Sequence, residues 1–247
     1  MPATEAVSAL FERKSHNPSF HAIRSATDYQ GMLLDFCVPV NTYFPPAEMV
    51  ELIRDNLEDV LKFYPDEAPA HEQCIADLAG IAPRHIVAGN GSTEIITSLC
   101  RDAPGPIVTT VPTFGRWTDL PPDFGVPVHF IQRLRERGFA VGIEEIVARV
   151  HATQAAAVVV CNPDNPTGAG LAAAQTRSLL RELKDLPLVV IDESFIDFSD
   201  LQSAAQLAAQ SDNAIVVKSL GKSLGWHGIR LGYAVANEAR AQALRKT

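Results

Sequence analysis

The sequence predicts an α/β fold in which a mostly parallel sheet of seven strands lies between layers of helices. Short apolar runs rich in β-branched residues recur from residue 85 to residue 236, and amphipathic stretches separate most of them. The runs are almost continuously apolar, which is typical of parallel strands covered on both faces. A chain of 247 residues is long enough to bury such a core.

The first part of the chain differs from the rest. Residues 1–44 show little periodic patterning, and we interpret them as an N-terminal arm that precedes a large domain at 45–247. An amphipathic helix is predicted from Pro46, a residue suited to a first helical turn. Its apolar residues fall at helical spacing: Val50, Ile53, Leu57, Val60 and Leu61. A second helix is predicted at 67–79, ending at Gly80.

The rest of the chain alternates between strands and helices. Strands are predicted at 85–89, 106–111, 126–131, 155–161, 187–192, 213–218 and 230–236. Helices are predicted at 92–101, 142–152, 171–184 and 201–210. Because ligands bind beyond the carboxyl ends of strands in such sheets, the residues that follow each strand form the candidate site.

Composition and charge restrict the class of function. The net charge of −8 argues against nucleic acid or an anionic membrane as partner, because both require clustered Lys and Arg. No apolar run reaches the roughly 18 residues of a membrane span, and we expect a cytoplasmic protein. The spacing of the cysteines predicts neither a metal site nor a disulfide scaffold, but small buried residues: Cys37, Cys74, Cys100 and Cys161.

Two early strands are followed by candidate binding loops. The sequence "GNGSTE", which contains Gly91, Ser92 and Thr93, opens a helix. The free N–H groups of that helix suit a phosphate, although the same residues also serve as an ordinary turn and N-cap. In "PTFGRW", either Phe114 or Trp117 could stack on a planar ligand, or both could belong to the core.

The later strands end in polar residues. The sequence "NPDNPTG" at 162–168 contains two Asn-Pro pairs, a strong turn signal that directs an amide side chain at the site. Asp192 ends a strand of apolar residues. A carboxylate in that position is costly to bury alone, so we expect either an internal Arg or Lys or a cationic ligand atom beside it.

The segment "VVKSLGKSLG" at 216–225 contains Gly-Lys-Ser, as a phosphate-binding P-loop does. A P-loop also requires a glycine five residues before the second glycine, where this chain has Val216 in a predicted strand. The neighbours of Lys222 are apolar, namely Leu220, Leu224 and Trp226. Apolar surroundings lower the pKa of a lysine amine and make it a usable nucleophile.

The motifs G-N-G-S-x-E, P-T-F, N-P-x-N-P-T-G, D-E-S-F, S-L-G-K and G-x-R-x-G-Y occur in this order. Together they resemble the pyridoxal-phosphate (PLP) aminotransferases of fold type I. The likeness is to the histidinol-phosphate aminotransferase group, which also includes the threonine-phosphate decarboxylases. It covers roughly residues 35–245.

The resemblance implies a role for each motif residue. Lys222 would form a Schiff base with the cofactor aldehyde and then carry a proton, and Asp192 would pair with the pyridinium nitrogen. Asn165 would bond the phenolic oxygen of the ring, and Phe114 would stack on its face. These four residues would hold the ring and its reactive carbon.

The resemblance also implies a phosphate site and a dimer. The phosphate would lie on the backbone of Gly91, Ser92 and Thr93, with Ser219 and Arg230 as side-chain ligands. Tyr64, in "FYPD", resembles a tyrosine that reaches the phosphate of the neighbouring subunit. A homodimer with sites at its interface is therefore implied.

Several residues depart from the aminotransferase pattern. Phe195 stands where many family aminotransferases have a tyrosine, and "DESFIDF" is a form associated with the threonine-phosphate decarboxylase branch. Gly221 replaces a frequent serine or threonine. His227 either lines a substrate pocket or ends a helix at the surface, and Asn41 in "NTYFPP" is a candidate substrate ligand.

Family members continue past residue 247 into a small C-terminal domain that supplies an arginine for the substrate carboxylate. That domain is absent from this sequence, and Arg24, Arg116 and Arg133 are possible substitutes. We therefore expect a chain, either truncated or naturally short, that binds PLP and turns over poorly alone.

Three functions follow from this interpretation. The leading one is a PLP-dependent aminotransferase acting on an amino acid, a keto acid or an amino-phosphate ester. The second is a PLP-dependent decarboxylase of the threonine-phosphate type, because substrate orientation decides which bond breaks. The third is a non-catalytic PLP-binding module that lacks the substrate domain.

Overall fold

The structure is a computed structural model that describes residues 8–10, 18–27, 29, 31–32, 34, 36, 38–65 and 67–246. The chain divides into two units, Met1–Val40 and Asn41–Thr247. The first unit contains helix α1 (Phe20–Ser25), whose N-cap Ser19 accepts a hydrogen bond from the backbone N of Ala22 at 3.0 Å. The second unit contains the sheet and the candidate site.

The second unit is built on a single sheet of seven strands, which confirms the predicted fold class. The strands are β1 (Ile86–Asn90), β2 (Ile107–Val111), β3 (Val128–Gln132), β4 (Ala157–Cys161), β5 (Leu188–Asp192), β6 (Ala214–Ser219) and β7 (Leu231–Val235). Their order across the sheet is β1-β7-β6-β5-β4-β2-β3. Strand β7 runs antiparallel to both β1 and β6, and the other pairs are parallel.

Helices cover both faces of this sheet. They are α2 (Ala47–Asp55), α3 (Leu57–Lys62), α4 (Ala68–Ala79), α5 (Ser92–Arg101), α6 (Arg116–Asp123), α7 (Ile143–Thr153), α8 (Ala173–Glu182), α9 (Ala205–Gln210), α10 (Leu220–Ser223) and α11 (Glu238–Leu244). The sequence pattern did not predict α6, because Pro121 and Pro122 lie inside it. Neither proline has a backbone N–H to donate to the preceding turn.

The second predicted helix is present as α4, but the first is divided at Asn56 into α2 and α3. Helix α4 ends at Gly80, which has a φ of +63° and donates its backbone N–H to Ala76 O, as a left-handed C-cap requires. Helices α2 and α3 have no buried residue. Five of their apolar residues and the two aromatic residues that follow are exposed, and we call this set the 50–64 face: Val50, Ile53, Leu57, Val60, Leu61, Phe63 and Tyr64.

The core has one hydrophobic cluster on one face of the sheet and two on the other. On one face, alternate residues of β4, β5 and β6 pack with α5, α6 and α11. On the other face, the intervening residues pack with α7 and α8 or with α4 and α9. Because side chains alternate along a strand, Cys161, Asp192 and Ser219 end their strands on the α5–α6 face.

Three of the four cysteines fall among the described residues, and each of the three is a free thiol. Cys100 and Cys161 are buried as predicted, and burial raises the pKa of Cys100 to about 12. Cys74 is exposed on α4, so the prediction of burial is wrong there, while Cys37 lies outside the described residues. In the part of the chain that the structure describes, no helix is long and apolar enough to cross a membrane.

An ion pair joins the end of the described chain to the edge of the sheet. Nε of Arg245 donates to the Glu72 carboxylate at 2.9 Å, and its Nη2 donates to the carbonyl oxygens of Pro83 and Ile86. Glu72 is buried, and Ala88 N is a further, longer donor to it at 3.4 Å. Arg245 therefore neutralises a buried carboxylate and holds α4 against β1.

We expect Arg245→Met to lower the free energy of unfolding by about 2–3 kcal/mol, because it leaves the Glu72 carboxylate buried without a cation. The Arg245 side chain is 30% exposed, which keeps the loss below that of a fully buried pair. Urea denaturation measures the change. Arg137→Met is the control, since the Arg137–Glu145 pair is exposed on both sides and contributes less than about 0.5 kcal/mol. Equal losses of unfolding free energy in the two variants would contradict a role for Arg245 in neutralising Glu72.

Candidate active site

A cleft lies at the carboxyl ends of the strands, where the alternating pattern predicted it. It is lined by Ser92, Phe114, Cys161, Pro163, Asn165, Asp192, Ser194, Phe195, Ser219 and Lys222. Six of these are residues that the motifs predicted for the site: Ser92, Phe114, Asn165, Asp192, Ser219 and Lys222. The strand order thus brings together residues that are up to 130 positions apart.

Asp192 is the buried acid of the cleft, with 3% of its surface exposed. Its Oδ2 accepts a hydrogen bond from the indole Nε1 of Trp117 at 2.7 Å, and its Oδ1 accepts one from the backbone N of Ser194 at 3.0 Å. Burial raises the pKa of Asp192, while these two donors and the charge of Lys222 oppose the rise. The carboxylate is therefore poised for a cation.

Lys222 is the amine of the cleft and is carried by the one-turn helix α10. Its Nζ lies 5.3 Å from the centre of the Phe195 ring, on the ring face. Burial lowers the pKa of Lys222, Asp192 opposes this, and Arg230 lowers it further. The predicted lowering of the lysine pKa is thus present in the structure, and it favours the neutral, nucleophilic amine.

The amino end of α5 and the side chain of Arg230 together form a cradle. Gly91, the N-cap, has a φ of +73°, and a Cβ built there would lie 2.5 Å from Nη2 of Arg230. The guanidinium of Arg230 therefore lies against the first turn of α5, which begins with Ser92 and Thr93. Free N–H groups at a helix start and a guanidinium are both suited to bind a phosphate.

A buried network supports the two loops that present Phe114 and Asn165. Oγ1 of Thr113 donates to Oδ1 of Asp164 at 2.8 Å, and Nε of Arg133 lies 3.6 Å from the same oxygen. Arg133 also donates to Oγ1 of Thr110 at 2.9 Å. Arg133 was a candidate substrate ligand, but its guanidinium is buried in this network.

Three other predicted site residues lie away from the cleft lining. Tyr64 is 99% exposed at the end of the 50–64 face. His227 is partly buried, and a Cβ on Gly221 would lie 3.3 Å from its Nδ1, so it packs beside the lysine turn. Asn41 bonds the backbone of that same turn through its N and Nδ2 atoms.

The structure also shows hydrogen bonds of the two neighbouring acids that the motifs did not predict. Trp117, which bonds Asp192, is 75 positions away in the sequence, and the sequence indicated only that it lies near a strand end. Glu193 directly follows Asp192 but points to the opposite face of the sheet, where it has no exposed surface. Its Oε1 accepts from Ala204 N at 2.6 Å, and its Oε2 accepts from Ser203 Oγ at 2.5 Å.

Among the residues that the structure describes, no group of three or more His, Cys, Asp or Glu side chains could hold a metal ion.

The family model for aminotransferase class I and II matches residues 32–247. Among curated proteins, the L-serine phosphate decarboxylase of Campylobacter jejuni is 30% identical over 245 residues, which cover 94% of this chain and 62% of that protein. The histidinol-phosphate aminotransferase of Xanthomonas euvesicatoria is 32% identical over 189 residues, which cover 74% of this chain and 52% of that protein.

Among solved structures, a decarboxylase from Sulfurospirillum multivorans matches with a TM-score of 0.83 at 29% identity. The match covers 98% of this chain and 65% of that one. The chain thus spans between about half and two thirds of the length of these relatives.

We expect Glu193→Gln to reduce the pH dependence of stability. Burial raises the pKa of Glu193 above its ordinary value of 4.5. Its contribution to stability is therefore greatest below that value and is lost as pH rises towards the raised pKa. Glutamine keeps both hydrogen bonds, because its Oε1 can accept from Ala204 N and its Nε2 can donate to the Ser203 hydroxyl.

The measurement is the thermal midpoint of the cofactor-free protein between about pH 5 and pH 8. The midpoint of Glu193→Gln should fall less with rising pH than that of the wild type. Glu136→Gln, at an exposed position, should follow the wild-type curve. A Glu193→Gln curve parallel to the wild type would show that this carboxyl has an unperturbed pKa.

Proposed function

The chain belongs to the class I and II aminotransferase family, and on that basis we propose that it removes the α-carboxylate of a small phosphorylated amino acid with the help of PLP. Family membership supports PLP as the cofactor. The observation that carries the choice of reaction is the extent of the match. Among curated proteins, two decarboxylase relatives cover 94% and 98% of the chain, against 74% for the aminotransferase.

The cleft fits the chemical groups of PLP. The buried carboxylate of Asp192 can pair with a protonated ring nitrogen, which offsets the cost of its burial. The cradle at Gly91 and Arg230 can take a doubly charged phosphate, and a side chain at Gly91 would fill it. Ser219 also lines the cleft and adds a hydroxyl on the same face of the sheet.

The chain's own residues would then act as follows. The Lys222 amine would hold the cofactor at its aldehyde, and with substrate bound its Nζ would hold a proton for the α-carbon. Phe114 would pack against the ring, and Asn165 would donate a hydrogen bond to its phenolic oxygen. When bound, PLP supplies an electron-deficient ring that accepts the electron pair of the bond broken at the α-carbon.

Phe195 supports decarboxylation as well. Its ring lines the cleft beside Lys222, at the place where many aminotransferases of this family have a tyrosine. It offers no hydroxyl to the cofactor, so Asn165 is the donor in the cleft lining that we assign to the phenolic oxygen. The sequence "DESFIDF", which contains Phe195, is the form associated with the threonine-phosphate decarboxylase branch.

Transamination is the second candidate, favoured by the histidinol-phosphate aminotransferase relative. It would use the same lysine and the same acid, but Nζ of Lys222 would remove the α-proton and the carboxylate would stay. A non-catalytic PLP-binding module is the third. The combination of Lys222, Asp192 and Arg230 around one cleft argues against it.

We also propose that the chain forms a homodimer through the 50–64 face. This face exposes Leu61 at 77%, Phe63 at 68% and Tyr64 at 99%, and several large apolar side chains exposed on neighbouring elements favour an interaction site. A second copy packed there would bring Tyr64 to the phosphate cradle of its neighbour.

We expect the chain with PLP to convert O-phospho-L-serine to carbon dioxide and ethanolamine phosphate. Lys222→Ala should lose at least about a thousandfold in rate, because it removes the group that bonds the cofactor and carries the proton. Lys184→Ala, an exposed lysine, should retain the wild-type rate.

Trapped carbon dioxide and chromatography of the products measure the reaction. A keto acid without carbon dioxide would favour transamination. Visible absorption of bound PLP that depends on Lys222, without either product, would favour the non-catalytic module. A chain that binds no PLP would overturn the proposed function altogether.

We expect Leu57→Asp combined with Leu61→Asp to convert a dimer to a monomer, because two charges would have to be buried in an apolar interface. Sedimentation velocity measures the change. Leu78→Asp places the same charge at an exposed position of α4 and should leave the dimer intact. A wild-type chain that sediments as a monomer at all concentrations would refute the role of the 50–64 face.

A further inference from the structure

The helix that carries Lys222 is short and depends on contacts from elsewhere in the chain. Helix α10 has four residues, and the N–H of Leu224 closes its single turn on Leu220 O at 2.9 Å. A helix of one turn has little stability of its own. The carbonyl groups at its C-terminal end also need partners from outside the helix.

Asn41 is distant from α10 in the sequence and supplies two of those partners. Its backbone N donates to the carbonyl oxygen of Lys222 at 2.9 Å. Its side-chain Nδ2 donates to the carbonyl oxygen of Ser223 at 3.0 Å. Its Oδ1 accepts from the backbone N of Tyr43 at 3.0 Å, which folds the chain into a tight turn. One residue thus caps the helix end and shapes the segment that contacts it.

The contact between this segment and the lysine turn is close. Gly225 has a φ of +63°, and a Cβ built there would lie 2.1 Å from Phe44 O and 2.7 Å from Asn41 O. The ring of Phe44 meets that of Trp226 edge to face, with centroids 6.3 Å apart. The absence of a side chain at Gly225 and the aromatic contact hold the 41–44 segment against residues 222–226.

We propose that Asn41 is a positioning residue, which holds the turn of α10 and so keeps the Lys222 amine in the cleft that Asp192 and Phe195 also line. This role rests on the proposed function of Lys222 as the cofactor-binding amine. It replaces the expected role of Asn41 as a substrate ligand, because both polar atoms of its side chain are already bonded to the backbone.

Two substitutions of Asn41 separate the long-range bond from the local turn. In Asn41→Ser, a hydroxyl can still accept from Tyr43 N, as Ser commonly does two residues on, but it is too short to reach Ser223 O. In Asn41→Asp, the shape and the bond to Tyr43 N are kept, and the donor to Ser223 O is lost. Asn213→Asp is the control, since Nδ2 of Asn213 donates to Leu183 O and Leu186 O at the opposite end of the sheet.

The first readout is the rate at which an acylating reagent modifies Lys222 in the cofactor-free protein, followed against pH by peptide mass spectrometry. The charges that act on this amine are Asp192 and Arg230, and neither variant removes them. We expect the modification rate at neutral pH to fall about fivefold to tenfold in Asn41→Ser. The midpoint of its pH profile should also move up towards that of an exposed lysine such as Lys184.

The second readout is the Kd of PLP, which we expect to rise about fivefold to tenfold in both Asn41 variants. Asn213→Asp should lower the thermal midpoint yet leave the Lys222 profile unchanged. Wild-type values within twofold for both readouts in Asn41→Ser and Asn41→Asp would overturn the proposal. If the wild type binds no PLP, the proposed function fails, and the amine profile of the cofactor-free protein still decides the role of Asn41.

Discussion

The carboxylate of Asp192 is buried at the end of the central strand, and the requirement to compensate its charge determines the layout of the cleft. Two protein donors reach it, the Trp117 indole and the Ser194 backbone. They reduce the cost of burial but supply no positive charge, and the pKa of Asp192 remains raised. The charge of Lys222 also opposes the rise, so the protein keeps a carboxylate whose burial is only partly compensated, which is a common property of functional sites.

Side chains alternate between the two faces of the sheet at the end of β5, so two neighbouring acids have different surroundings. Asp192 points to the face of α5 and α6 and lines the cleft, whereas Glu193 points to the face of α9 and bonds Ser203 and Ala204. Both carboxyl groups are buried and both have raised pKa values. Of the two, Asp192 lines the cleft, whereas Glu193 has no exposed surface and bonds the two residues that precede α9.

The strands and the motif residues at their ends could be predicted from the sequence, because apolar β-branched runs are local signals. The cleft lining could be anticipated as well, since parallel strands bring their carboxyl ends to one edge. Long-range partners could not be predicted in this way. The bond from Trp117 to Asp192 and the bond from Asn41 to Ser223 each join residues that share no local pattern, and they depend on the packed tertiary structure.

Strand β1 enters the sheet only through β7, with Ile86 opposite Val235. During synthesis from the amino end, β1 therefore leaves the ribosome well over a hundred residues before its hydrogen-bonding neighbour exists. The apolar side chains of β1 and α4 must remain unaggregated throughout that interval. The sheet edge at β1 is therefore completed late in synthesis. Until then α4, the helix that precedes β1, is the nearest element that can shield the apolar side chains of β1.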